Sequence, residues 1–106
     1  MTVAWLPGAI SDLQRLREFL RPLNVEAAHK AVSAIKGAVN LLVPHHYGKP
    51  VEDLPGYFDA IIPFGSAGYV LRYRVEGEVI FIVAVKHTKE AGFSDRLGQP
   101  AGAIEG

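Results

Sequence analysis

The sequence predicts an α+β fold. An N-terminal strand leads into an antiparallel helix hairpin, and the hairpin packs on a mainly antiparallel sheet that ends in a three-stranded meander. Three observations predict it. Apolar residues recur at helical spacing from about residue 9 to 42, with one break at Pro22. Three β-prone stretches follow between residues 57 and 85. The last two are joined by Glu76-Gly77, a two-residue turn suited to a tight hairpin.

Taken in order, "TVAWL" (residues 2–6) is a short strand that ends at Pro7-Gly8. From about Ala9 to Arg21 the pattern turns helical, with Ile10, Leu13, Leu16, Phe19 and Leu20 as its stripe, and Pro22 stops it. Asn24 is placed to cap a second helix, with Glu26 in the first turn where the macrodipole favours an anion. That helix runs to about Leu42 on a stripe of Ala28, Ala31, Ile35, Ala38, Val39 and Leu42, and Gly37 is expected to allow close approach of a neighbour. The short link makes the two helices an antiparallel hairpin that covers one face of a sheet. Residues 43–56, "VPHHYGKPVEDLPG", hold three prolines and two glycines and read as a loop. The strands then span about Tyr57–Ile62, Tyr69–Val75 and Glu78–Val85, with the first strand beside them. From Gly92 to Gly106 the chain carries four glycines and loses periodicity, which predicts a flexible or partner-ordered tail on a single domain of residues 1–106.

Composition narrows the function classes. Of 106 residues, 49% are apolar and 21% charged, enough for one modest core and unlike a disordered chain. There is no cysteine, which suits a reducing, cytoplasmic setting. No apolar run is long enough for a membrane span, and the N-terminus lacks the pattern of a signal peptide. Eleven basic residues balance eleven acidic ones, so any polyanion contact must come from local clustering.

The hairpin turn suggests a register. With Val75 opposite Glu78, Tyr73 meets Ile80, Leu71 meets Ile82 and Tyr69 meets Ala84, and these face the helices. The other face then holds Arg74 opposite Val79, Arg72 opposite Phe81, and Val70 opposite Val83. Such a face, half cationic and half apolar, admits two readings. The arginine stems shield the valines while pairing with Asp59 or Glu78, or the face docks another chain.

The order of elements, together with "VAWLPGAISDLQRLREFL", "NVEAAHKAVSAI", the proline-glycine loop and "IIPFGSAGYVLRYRVEGEVIFIVAVKHTKEAGF", resembles the ParE/RelE superfamily of bacterial toxins, and within it the ParE, or plasmid-stabilisation, branch. The resemblance covers about residues 3–93. It implies the toxin of a type II toxin–antitoxin module, held inactive in a hetero-oligomer by a cognate ParD-like antitoxin. Contact with DNA is then indirect, through the antitoxin, and no membrane is involved. In the ParE branch the implied target is DNA gyrase, and growth arrest follows from blocked replication without covalent chemistry or a cofactor. In the RelE branch the same fold is a ribosome-dependent mRNA endonuclease. An inactive relative kept as a binding partner is a third reading, because Phe58 stands before Asp59 where many relatives carry an arginine.

For the antitoxin, the mixed face offers Val70, Arg72, Arg74, Phe81 and Val83, with Phe58 as a further apolar contact. For toxicity, the C-terminal region offers Lys86, His87, Lys89, Phe93 and Arg96. Cutting RNA calls for a base, an acid and cations close together, and the candidates for that chemistry are Arg72, Arg74, Lys86, His87 and Lys89. No tyrosine follows His87; the aromatic of the tail is Phe93, which has no proton to give. His45-His46 lack well-spaced further donors beyond Glu52 and Asp53, so they read as a polar loop and not a metal site. His29 falls on an exposed flank, and Ser66 in "FGSAG" is a turn serine without a positioned base.

Overall fold

The computed structural model describes residues 1–45, 47–90, 92 and 93. The chain runs β1 (Thr2–Trp5), α1 (Pro7–Leu20), α2 (Val25–Leu42), β2 (Lys49–Pro50), β3 (Tyr57–Phe64), β4 (Ala67–Glu76) and β5 (Val79–His87). The strands form one sheet in the order β1-β5-β4-β3-β2, in which β1 is parallel to β5 and the other pairs are antiparallel. The two-residue β2 lies inside the stretch expected to be loop.

Local chemistry explains the helix ends. α1 starts at Pro7, earlier than expected, because proline at the first helical position carries a preset φ and gives up only a donor that would be unpaired there. Asn24 caps α2, its side chain accepting from the Ala27 N–H at 3.0 Å. The stripe of α1 is centred on Ala9, Asp12 and Leu16, which leaves Ile10 and Phe19 exposed on its flanks, contrary to the sequence expectation. Gly37 also departs from it: the residue is exposed, and a Cβ there would touch nothing within 4 Å. The core lies between the helices and one sheet face, with Ile35 and Leu42 of α2 against Leu71, Tyr73, Ile80, Ile82 and Val85, all fully buried.

The β4–β5 register differs from the expected one in two steps. The turn is Gly77-Glu78, since Glu76 pairs with Val79, and Gly77 takes the left-handed φ of 58° that the turn requires. Tyr73 therefore opposes Ile82 instead of Ile80, a two-residue slip that keeps the same side chains inward. A bulge follows, for Arg72 opposes Ala84 and Val83 is the extra residue. Beyond it the parity flips. Val85 joins the core cluster opposite Leu71, Lys86 comes opposite Val70, and His87 comes opposite Tyr69.

Candidate functional site

Arg72 and Arg74 emerge from β4 on the face away from the helices. Asp59 lies directly across from Arg72 on β3, and its two carboxylate oxygens accept from the Arg72 Nε and Nη2 at 2.8 and 2.9 Å. This fork leaves the Arg72 side chain 12% exposed. Its guanidinium lies 4.2 Å from the centroid of the Phe93 ring. Arg74 repeats the pattern with different partners: its Nε donates to Glu76 Oε2 at 3.1 Å, and its guanidinium lies 4.5 Å from the Phe81 centroid. Each arginine thus spends an edge on a carboxylate and a face on a phenyl ring. Lys86 Nζ, 5.7 Å from the Phe93 centroid, donates long hydrogen bonds of 3.4 Å to the His87 and Glu90 carbonyls.

A second cluster ties the end of β5 to α1. β1 stops at Trp5, and the Leu6 N–H donates to the Ile82 carbonyl at 3.0 Å, so β5 beyond Ile82 has no strand on that side. α1 takes over the edge. Asp12, only 6% exposed, accepts the Val85 N–H at 2.9 Å, while Arg15 lies 3.6 Å from Asp12 and reaches the Glu90 carboxylate at 2.5 Å. Glu90 also accepts the His87 N–H at 2.9 Å. Burial raises the Glu90 pKa, but the His87 N–H and Arg15 outweigh it and hold the carboxyl below its ordinary value. Sequence reasoning passed over this trio. The available signal was an acid, Asp12, at the centre of an otherwise apolar helix stripe.

The structure separates several of the candidate residues. Val70, Arg72, Arg74 and Phe81 share the outer face; Val83, at the bulge, is buried apart from the core cluster. Phe58 does not join them. It pairs with Tyr73, stacks on that ring at 5.5 Å and packs against the core, because its strand parity puts it on the helix side. The five candidates for RNA chemistry are also divided. Arg72 and Lys86 flank Phe93, whereas Arg74 lies four positions along β4 from Val70, the partner of Lys86, about 13 Å at ~3.3 Å per residue. His87 sits on the other face, edge-on to Tyr69 at 5.5 Å, and its Nδ1 accepts the Lys89 N–H at 3.1 Å. There it lines a groove of about 700 Å³ with Leu16, Phe19, Phe64 and Lys89. Arg96 and His46 lie outside the described residues. Among the described residues, no three His, Cys, Asp or Glu gather to hold a metal ion.

Comparison with known proteins agrees with this architecture. The chain is similar to toxin RelE3 of Caulobacter vibrioides, 31% identical over 85 residues that cover 79% of this chain and 90% of that protein. Its fold is shared with a chain from the chromosomal ParDE system of P. aeruginosa, with a TM-score of 0.70 and 24% identity over 82% of this chain and 95% of that one. The model of the ParE toxin of the type II toxin–antitoxin system parDE matches residues 3–92. With that match spanning nearly the whole chain, the protein belongs to the ParE toxin family of type II toxin–antitoxin systems.

Proposed function

We propose that this toxin acts by binding and not by catalysis, that DNA gyrase is its target, and that a cognate ParD-like antitoxin neutralises it by laying an acidic segment along the Arg72/Arg74 face. The observation that carries the binding reading is the division of the candidate catalytic groups. His87, the histidine beside the C-terminal cations, faces the helix side, while Arg72 and Lys86 face away from it. Phosphoryl transfer needs a base within hydrogen-bond reach of the attacking hydroxyl and cations at the same phosphate. The β-sheet stands between His87 and the two arginines, leaving Lys89, among the described residues, as the one candidate cation on its side. The gyrase target rests on family membership.

Induced without antitoxin, the protein should arrest growth with stalled replication, and the purified toxin should inhibit gyrase supercoiling. Transcript-end sequencing of the induced cells checks the other branch. Codon-dependent cuts in translated messages, with supercoiling intact, would sink the gyrase reading and move the active surface to the groove beside His87 and Lys89. For the antitoxin, Arg74→Glu is the informative change, because Arg74 is more exposed than Arg72 and lacks its bidentate partner. The charge reversal should weaken antitoxin binding at least tenfold in a calorimetric titration. Unchanged affinity removes the outer face as the docking site.

A further inference from the structure

Arg72 and Arg74 each carry a phenyl ring, but the two rings are held differently. Phe81 belongs to β5 and sits across from Arg74 in the ladder, so it cannot leave without opening the sheet. Phe93 lies six residues beyond the end of β5. It reaches Arg72 only because the chain doubles back after His87, where Glu90 is tied to Arg15 and to the His87 N–H. Beside Phe93 is a cavity of about 460 Å³ lined by Asp59, Ile61, Val70, Arg72 and Lys86. Ile61 on its rim is 62% exposed.

We propose that the Arg72 face under the Phe93 ring is a seat for a partner's aromatic side chain, occupied by Phe93 when no partner is bound, with the open cavity beside it taking the rest of the partner segment. The inference deepens the reading of the outer face as a docking surface and rests on it. The chemistry of the occupant follows from what the seat leaves unsatisfied. Asp59 takes two of the five N–H donors of Arg72 and neutralises its charge, so a partner carboxylate gains less there than at a free arginine, and the guanidinium face offers a ring a second mode of recognition. Among the described residues Lys86 donates only long bonds to carbonyls, and no carboxylate there takes its charge. The fitting partner is an acidic peptide segment with an aromatic residue flanked by a carboxylate, the ring on Arg72 and the carboxylate on Lys86. Such a ring enters only when Phe93 leaves, so the apparent affinity is reduced by the fraction of time the seat is open.

The seat can be read without any partner. The Phe93 ring current should shift the Arg72 Nε–H resonance of the full-length protein, and Phe93→Ala should return it toward its ordinary position; a resonance that does not move overturns the seat. The competition is read with two synthetic peptides, an acidic amphipathic peptide with one tryptophan between two glutamates and its tryptophan-to-alanine twin. Phe93→Ala should bind the tryptophan peptide about tenfold more tightly than the parent, as expected for a seat open about a tenth of the time. The alanine twin should bind both proteins equally, and Phe81→Ala should give no gain with either peptide. Equal or weaker binding of the tryptophan peptide by Phe93→Ala overturns the competition. If neither peptide binds either protein while the resonance moves as expected, the docking reading fails and the intramolecular seat stands as a packing contact.

Discussion

Arg72 holds Asp59 with two donors and is 12% exposed, whereas Arg74 holds Glu76 with one and is 26% exposed. The difference gives the two arginines different duties. Arg72→Ala leaves the partly buried Asp59 carboxylate without its fork and should cost about 1–3 kcal/mol in urea unfolding. Arg74→Ala should stay within about 0.5 kcal/mol, as a partly exposed position does. A third residue-scale case is Tyr73, whose hydroxyl accepts the Gly48 N–H at 2.8 Å. A Cβ on Gly48 would overlap the Tyr73 ring, so Gly48→Ala should cost about 1–3 kcal/mol by overpacking. Burial raises the Tyr73 pKa above 10.0, with the Gly48 bond opposing and Tyr47 adding to it. The folded state therefore keeps a proton that the unfolded chain releases, and stability falls as pH rises above 10.0. Tyr73→Phe should flatten that alkaline decline in a pH series of urea midpoints.

At the scale of elements, α1 does more than cover the sheet. Asp12 stands in for a missing strand neighbour of β5, so an apolar replacement that improves the helix stripe should harm the protein. Asp12→Leu should destabilise by about 1–3 kcal/mol because the Val85 N–H loses its acceptor, and Asp12→Asn should recover much of the loss. α2 supplies the opposite case. Gly37→Ala meets no obstacle and should stabilise by up to about 1 kcal/mol through helix propensity, read as a raised Tm. The clamp after β5 is the pH-sensitive element. The folded-state pKa of Glu90 is depressed, so its contribution is present above 4.5 and fades as pH falls through the lower folded value. The protection factor of the His87 amide, its exchange rate corrected for the intrinsic pH dependence, should fall over that acid range in the parent, and Glu90→Gln should remove the change.

For the whole molecule, the clamp changes where the chain can be cut. The last strand the sequence predicts ends at Val85 and the tail from Gly92 reads as flexible or partner-ordered, which would make the chain beyond Thr88 nearly dispensable for folding. In the structure Glu90 and Phe93 fold back onto Arg15 and Arg72, so a chain ending at Thr88 should be less stable than one ending at Phe93 by about 1–2 kcal/mol. Equal urea midpoints for the two truncations would mean that the segment lies loosely. Much of the fold was legible beforehand: the helix hairpin, its Asn24 cap, the stop at Pro22 and the three long strands all followed from signals within a few residues. The candidate surface was legible only in part. Val70, Arg72, Arg74 and Phe81 were grouped correctly because strand alternation is local, and a slip of two residues preserves it.

The sequence by itself determined the order of the helices and long strands, the inward set of Tyr69, Leu71, Tyr73, Ile80 and Ile82, and the family, since capping, turn chemistry and periodicity act over one or two helical turns or a hairpin. Only the tertiary structure decided which face His87 and Lys86 take, because one extra residue at Val83 reverses the pleat and leaves no mark in composition. It also placed Phe58 inside, against Tyr73. The same holds for Asp12 and Glu90. Their partners, Val85 and Arg15, are 73 and 75 positions away, and a charged side chain declares its role only when the fold brings its partner within reach.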